Sequence, residues 1–265
     1  EGVVRTTGTF SFTTGFSLFV HACAPFALGV LEARKRKTRH RILALALFAA
    51  LIVCTLVSGA RATFINTGAM LALFLFGYLL FAPVKRKGIA LLGAVLAALT
   101  VASLGLFLQD NLAAIEERFQ AASEGEDIVS RIMAIFIGEP NLLQKVNWLG
   151  YGVGIASSLA QFVQFGSRGG FSYGETEASR TLMEGGLAGV LYIVFKLFLP
   201  IGGTAAAFMR SIQTRTVFPL LVWVSVALAL FTWPAIGQLT ANGMQGIVLA
   251  LGLLCLRYPT LRLFG

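Results

Sequence analysis

The amino-acid sequence predicts an all-α fold, a polytopic transmembrane helical bundle of about seven spans with one long loop that contains short helices. The first reason is composition, because 57% of the 265 residues are hydrophobic and only 12% are charged. Together with a mean hydropathy of +0.80, this leaves too few polar side chains to cover a soluble globule. The second reason is that apolar stretches of about 17–25 residues, the length of a helix that crosses hydrocarbon, recur along the chain. The third is that the segments between these stretches alternate in charge.

Seven apolar stretches are predicted to be membrane spans. They run over Phe10–Leu31, Ile42–Val57, Phe64–Ala82, Ile89–Leu108, Gly186–Met209, Val217–Trp233 and Ala235–Leu256. The chain therefore divides into residues 1–108 with the first four spans, residues 109–185 as one large loop, and residues 186–265 with the last three spans. No signal-like segment precedes the first span, so we expect the chain to be an internal piece with further spans upstream.

Lysine and arginine side chains collect in four segments between or after the predicted spans. These segments hold most of the 21 basic residues: Arg34 to Arg41, Lys85 to Lys87, Arg210 with Arg215, and Arg257 with Arg262. Cytoplasmic loops of membrane proteins carry the excess of Lys and Arg, so these four segments are expected in the cytoplasm and the large loop on the opposite side. The net charge of +9 is thus a topology signal and not a nucleic-acid site.

Charged side chains are also dense between Ser172 and Gly189, directly before the fifth span. Glu177, Arg180 and Glu184 are spaced at i, i+3 and i+7, so they share one face of a helix. This spacing suits a structural ladder that neutralises charge at the membrane surface, and it equally suits a carboxylate base beside a guanidinium. Glu175 lies about 200° from Glu177 around the helix. Burial of such an unpaired carboxylate would raise its pKa and suit it to the role of general base.

Three further arginines lie near the predicted outer ends of the spans. Arg5 precedes the first span, Arg61 lies in the short connector before the third, and Arg131 lies on an amphipathic helix expected in the large loop. A fixed guanidinium such as that of Arg61 suits bidentate binding of a phosphate or pyrophosphate better than a lysine would. The structural alternatives are snorkelling to headgroups for Arg5 and an ion pair with Asp127 for Arg131.

Other features of the sequence carry weaker expectations. Lys196 lies inside the fifth span, where a charged residue is a functional candidate, but the sequence offers it no obvious acidic partner. The glycine-rich segment GYGVG, Gly150 to Gly154, is interpreted as a flexible joint. The three cysteines lie in apolar runs and the two histidines stand alone, so neither a disulfide framework nor a metal site is predicted.

Four segments resemble, in order, elements of the O-antigen ligase and polymerase superfamily of lipid-linked oligosaccharide transferases. RTTGTF at Arg5 is similar to the family's R-x-x-GTF element, and SGARA at Ser58 is similar to its SxSRG element at an outer helix start. SRIMAIF with Arg131, followed by EPNLL and LGYGVG, resembles R-x-x-x-W…PLLGxGxG. GETEASRTLMEGGLAG resembles HNxYLQxLxExGLxG. The chain has Glu175 where family ligases carry a histidine and lacks the tryptophan after the loop arginine, which favours a polymerase-like or exopolysaccharide branch.

The resemblance implies a metal-independent glycosyltransferase that needs no cofactor and acts at the outer, periplasmic face of the bacterial inner membrane. The donor would be a glycan on undecaprenyl pyrophosphate, and the acceptor a hydroxyl of another glycan or a lipid, in O-antigen or exopolysaccharide biosynthesis. The implied pyrophosphate ligands are Arg5, Arg61, Arg131 and Arg180, and the implied catalytic bases are Glu175 and Glu177. Arg61 and Arg131 are accordingly expected to converge on one pyrophosphate. Membrane lipids would be further partners, and nucleic acid would not.

Two other classes of protein fit the same composition. A transporter or flippase subunit would move a lipid or an anion without chemistry, and it would need ionisable side chains near the middle of the membrane. Lys196 is the residue that meets this condition. A structural subunit without an active site is the third class, and the charges of the large loop agree with it as well.

Overall fold

The computed structural model describes residues 13–32, 38–58, 60–81, 116, 147–155, 177–232 and 239–260. These residues are 88% helical and contain no strand. The protein is therefore an all-α helical bundle, as its hydropathy predicts.

Seven helices make up the described part of the chain. They are α1 (Thr13–Glu32), α2 (Thr38–Val57), α3 (Arg61–Phe81), α4 (Glu177–Gly185), α5 (Leu187–Thr214), α6 (Phe218–Thr232) and α7 (Leu239–Arg257). Six of them coincide with predicted spans, and α4 is a short helix at the end of the predicted large loop. The predicted span Ile89–Leu108 and the helix expected around Arg131 lie outside the described residues.

Several of these helices have the length and composition to cross a membrane. Among the described residues, four helices are long and apolar enough to cross a membrane. They cover Gly15–Glu32, Ala62–Phe81, Leu187–Thr214 and Thr240–Arg257. α2 and α6 contribute shorter apolar stretches, Ile42–Val57 and Phe218–Phe231. This is a membrane protein with transmembrane helices, because apolar helices of this length require hydrocarbon around them.

Helix α6 lies at the centre of the bundle and contacts α1, α3, α5 and α7. It is apolar on all sides, as expected for a helix surrounded by protein. The buried ring of Trp223 lies on Gly203 of α5, where a Cβ atom would come within 1.9 Å of the ring, and it also packs near Gly252 of α7. Glycines at these contacts let the membrane helices approach closely around the large side chain.

Hydrogen bonds between buried polar groups join α1 to α6 midway along both helices. The Nε2 atom of His21 donates to the carbonyl oxygen of Ser225 at 3.0 Å. The hydroxyl of Ser225 donates in return to the carbonyl oxygen of His21 at 3.4 Å. Both side chains are buried, so this pairing offsets the cost of placing polar groups in an apolar interior.

Contacts between helix ends bring α1, α5, α6 and α7 together at one end of the bundle. The carboxylate of Glu32, the last residue of α1, accepts hydrogen bonds from the N–H groups of Val217 (2.8 and 3.0 Å) and Phe218 (3.1 Å). These N–H groups start α6 and have no partner within their own helix, so Glu32 caps α6. Near the end of α5, the Nε atom of Arg210 donates to the carbonyl oxygen of Leu256 in α7 at 3.0 Å.

Candidate functional site

Helices α4 and α5 form a hairpin that folds back at a glycine. Gly186 has φ of +51°, in the left-handed region that favours glycine. Where the two helices touch, a Cβ atom at Gly189 would lie 2.2 Å from the carbonyl oxygen of Thr181. The absence of side chains at these two positions therefore lets α4 lie directly against the first part of α5.

A loop from an earlier part of the chain, residues 147–155, docks on the tip of this hairpin. The N–H of Tyr151 donates to the carbonyl oxygen of Met183 at 2.8 Å, and the N–H of Gly152 donates to that of Glu184 at 3.2 Å. In the other direction, the N–H of Leu187 donates to the carbonyl oxygen of Trp148 at 2.9 Å. The loop thus satisfies the first N–H of α5 and two carbonyl groups at the end of α4, which helix ends leave unpaired.

The interpretation of GYGVG as a flexible joint is wrong at its N-terminal half, because the glycines there form a close backbone contact. Gly150 and Gly186 both have positive φ. A Cβ atom at Gly150 would lie 2.4 Å from the carbonyl oxygen of Glu184, and one at Gly186 would lie 2.4 Å from the carbonyl oxygen of Trp148. The glycines therefore provide space for an interlock between two segments about 35 positions apart, and they do not loosen the chain.

Glu177, a predicted catalytic base, forms an ion pair across the hairpin. The ammonium group of Lys196 on α5 donates to Oε2 of Glu177, the first residue of α4. The two side chains are only 14% and 11% exposed. Tyr192, one turn before Lys196, lies beside the same carboxylate. Lys196 therefore fixes the carboxylate at the start of α4, and the catalytic role of Glu177 stays a prediction.

Arg180, a predicted pyrophosphate ligand, is held by a second ion pair on α4. Its Nε atom donates to Oε1 of Glu184 at 3.0 Å, which is the i, i+4 half of the predicted ladder. The two terminal nitrogens of the guanidinium have no partner among the described residues. The side chain is 21% exposed, so an anion can approach a guanidinium whose orientation is already fixed.

Arg61 is the first residue of α3, and its side chain lies outside the described part of the structure. The connector that precedes it is well held. The hydroxyl of Ser58 donates to the carbonyl oxygen of Thr55 at 2.7 Å and accepts the N–H of Ala60 at 3.3 Å. Ser58 thus joins the end of α2 to Ala60, directly before α3 begins.

The remaining predicted site residues, Arg5, Arg131 and Glu175, lie outside the described residues. The convergence of Arg61 and Arg131 on one pyrophosphate stays a prediction. Within the described ranges, no group of three His, Cys, Asp or Glu side chains could hold a metal ion.

Sequence reasoning missed the pairing of Lys196, although the sequence contains a signal for it. Glu177 lies nine residues before Gly186 and Lys196 lies ten residues after it. If a hairpin turns at Gly186, residues equidistant from the turn lie side by side. The Gly-Gly pair marks that turn, since glycine adopts the required positive φ without strain.

Comparison of the chain with protein-family models, with curated proteins and with solved structures finds no significant match. The resemblance to the O-antigen ligase and polymerase superfamily therefore depends on the four sequence segments alone.

Proposed function

We propose that this protein transfers a glycan from a polyprenyl pyrophosphate carrier to a hydroxyl acceptor at the extracytoplasmic face of a bacterial inner membrane. In this reaction the acceptor oxygen forms a bond to the anomeric carbon, and the bond from that carbon to the pyrophosphate oxygen breaks. The acceptor proton passes to a carboxylate, and the polyprenyl pyrophosphate leaves with its charge stabilised by guanidinium groups.

The observation that carries this proposal is the state of Arg180. Glu184 fixes the guanidinium through Nε at 3.0 Å, while neither terminal nitrogen has a partner among the residues that the structure describes. A guanidinium held in this way is preorganised for bidentate contact with a phosphate oxygen pair. Since Glu177 is engaged by Lys196, the role of general base falls to Glu175, which lies two residues before α4 in the sequence.

An apolar groove beyond the hairpin supports a substrate with a lipid tail. It lies between α5 and α6, has a volume of about 460 Å³, and is lined by Pro200, Ile201, Thr204, Ala205, Phe208, Leu220, Ala227 and Phe231. Pro200 follows Lys196 by one turn, so the groove continues along α5 from the charged cluster. A molecule with an anionic head and an apolar tail matches this order of polar and apolar surface.

Transport of a lipid or an anion without chemistry is the second candidate. The observation that favours it is the part-buried ion pair between Lys196, on the membrane helix α5, and Glu177 of α4, together with the buried His21 in α1. Ionisable groups at such depth often belong to ion or substrate pathways.

Reconstitution of the full-length protein in liposomes that contain a polyprenyl-pyrophosphate-linked oligosaccharide and an acceptor glycan tests both candidates. Glycan transfer produces a longer acceptor and free polyprenyl pyrophosphate. Movement of the labelled lipid to the other leaflet, with no new glycosidic bond, would replace the proposed function by transport.

The variant Arg180→Lys tests the role of the guanidinium in the same assay. It keeps the charge but loses the planar pair of donors, and a hydrogen bond to a charged group contributes about 1.5–3 kcal/mol, so transfer should fall about 10- to 100-fold. The control Arg39→Lys changes an exposed arginine at the start of α2 and should leave transfer unchanged. Equal activity of the two variants would remove Arg180 from the site.

A further inference from the structure

The loop of residues 147–155 presents large apolar side chains outward. Trp148 is 79% exposed, Leu149 is 88% exposed and Val153 is 97% exposed. Contiguous exposed apolar surface of this kind marks a site of interaction with a protein or a membrane. The loop therefore has an occupant against its outer surface.

The position of these side chains is fixed by the backbone of the loop and not by their own packing. Trp148 and Leu187 are joined by a backbone hydrogen bond of 2.9 Å, and Tyr151 and Met183 by one of 2.8 Å. The loop thus lies level with the first turn of α5, at the point where that membrane-crossing helix begins.

The exposed surface of the loop continues onto a lipid-facing surface. Leu187, Leu191 and Phe195 succeed one another at i, i+4 and i+8 along α5, and each is at least half exposed. Residues at this spacing form one stripe of a helix. An apolar stripe on a helix that crosses a membrane faces lipid, so the same lipid surrounds the foot of the loop.

Hydrocarbon on one side and water on the other limit the depth at which the loop can lie in the bilayer. Irregular backbone exposed to lipid does not occur within the hydrocarbon region, because its polar groups find no partners there. Water is equally unsuitable for an exposed tryptophan, leucine and valine in one short loop. Tryptophan favours the layer between these two, the headgroup region at the membrane–water interface.

We propose that residues 147–155 are a membrane-interface anchor, in which Trp148, Leu149 and Val153 insert among the headgroups and upper acyl chains of the leaflet at the start of α5. Because Gly150 and Gly186 hold the loop against the α4–α5 hairpin, the depth of the loop in the bilayer also sets the depth of the hairpin. The anchor thereby sets the height of the charged cluster of α4 relative to the bilayer surface. This inference does not depend on the proposed glycan transfer.

Fluorescence of Trp148 in lipid nanodiscs tests the proposal. The full-length protein with Trp223→Phe and Trp233→Phe retains Trp148 as the single tryptophan of residues 1–265, and any tryptophan outside this range is replaced likewise. We expect several-fold stronger quenching by lipids brominated near the headgroup than by lipids brominated near the bilayer centre, and weak quenching by aqueous iodide. Strong quenching by iodide with no effect of bromolipids would overturn the proposal.

A nitroxide label at Val153→Cys gives the same information with Trp223 and Trp233 retained. The label is introduced in a background whose native cysteines are replaced by alanine. Phe198→Cys, on the exposed face of α5, and Arg39→Cys, exposed at the start of α2, supply the lipid and water references. The ratio of collisions with oxygen to collisions with a water-soluble nickel complex should lie between those of the two references. A ratio equal to that of Arg39→Cys places the loop in water and overturns the proposal. A label inaccessible to both reagents shows that a second copy or another protein covers the loop, which overturns it equally.

Discussion

At the scale of single residues, the four described charges nearest the turn of the α4–α5 hairpin neutralise one another in two pairs. Glu177 pairs with Lys196 and Arg180 pairs with Glu184. Charges with so little exposure to water require such partners, because an isolated buried charge is strongly destabilising. The pairs differ in one respect: within the described ranges the terminal nitrogens of Arg180 have no partner, whereas the ammonium group of Lys196 is directed at Glu177.

The general base is predicted to be Glu175, and Glu175→Gln tests it against Glu184→Gln. Glutamine keeps the shape of Glu175 but cannot accept the acceptor proton, so glycan transfer should fall about 10²–10⁴-fold. At Glu184, the amide oxygen of glutamine can still accept the hydrogen bond from Arg180, so the loss should be far smaller. The measurement is transfer from a lipid-linked donor, with the amount of folded protein determined for each variant. Equal small losses would exclude Glu175 from the mechanism.

The Glu177–Lys196 pair is predicted to stabilise the hairpin only as a pair. Lys196→Met leaves a buried carboxylate without a partner, which should lower the free energy of unfolding by about 3–5 kcal/mol. The double variant Lys196→Met with Glu177→Gln removes both charges and should recover most of that loss. Thermal unfolding in detergent compares the single and double variants. A double variant that is less stable than the single one would contradict a coupled pair.

At the scale of elements, the hairpin and the 147–155 loop form one unit because backbone groups of each satisfy the helix ends of the other. The N–H of Leu187 donates to the carbonyl oxygen of Trp148. The carbonyl oxygens of Met183 and Glu184 accept hydrogen bonds from N–H groups of the loop. Two segments far apart in the chain thus depend on each other for their polar groups, as buried or interfacial backbone requires.

Substitution of Gly150 or Gly186 by alanine is predicted to separate the 147–155 loop from the α4–α5 hairpin. Each position combines positive φ with a clash of the new Cβ atom against backbone at 2.4 Å. Gly152→Ala is the matched control for φ, because Gly152 also has positive φ but no atom within 4 Å of the added Cβ. The left-handed conformation alone costs a non-glycine residue about 1–2 kcal/mol, so Gly150→Ala should destabilise more than Gly152→Ala does. Hydrogen exchange at the amides of Tyr151 and Leu187 reports the separation, and equal exchange in the two variants would contradict the interlock.

At the scale of the whole molecule, the bundle gathers the helix ends that adjoin basic segments. Glu32 at the end of α1 contacts the start of α6, and Arg210 of α5 contacts the end of α7. The ring of Phe81, the last residue of α3, lies 5.7 Å from the ring of Phe208 in α5. These helix ends, which are far apart in the sequence, therefore meet at one end of the described bundle.

Cysteine labelling in intact cells tests the sidedness of this arrangement. Ser123→Cys, in the polar first part of the large loop, should react with a membrane-impermeant maleimide, because residues 109–185 are predicted to lie in the periplasm. Lys35→Cys, next to the end of α1, should react only after the cells are permeabilised, because basic segments are retained in the cytoplasm. Labelling of Lys35→Cys in intact cells would reverse the topology.

The sequence alone determined the helical fold and placed the ends of the described spans to within five residues. Hydropathy is a sum over neighbouring residues, and helix length is set by the thickness of hydrocarbon, so both can be read along the chain. Trp223 and its neighbours in α6 are apolar on every side, which already indicates a helix surrounded by others. The charged character of the segment from Glu177 to Glu184 was equally visible.

Only the tertiary structure decided which charges pair and which backbone segments meet. Lys196 lacks an acidic neighbour within one helical turn in the sequence, and its partner is supplied by a helix that folds back at Gly186. The role of Gly150 depends likewise on the approach of Glu184 to 2.4 Å of its absent Cβ atom. The physical reason is that spans follow from local free energies of transfer, whereas pairing depends on distances between parts of the chain that a turn brings together.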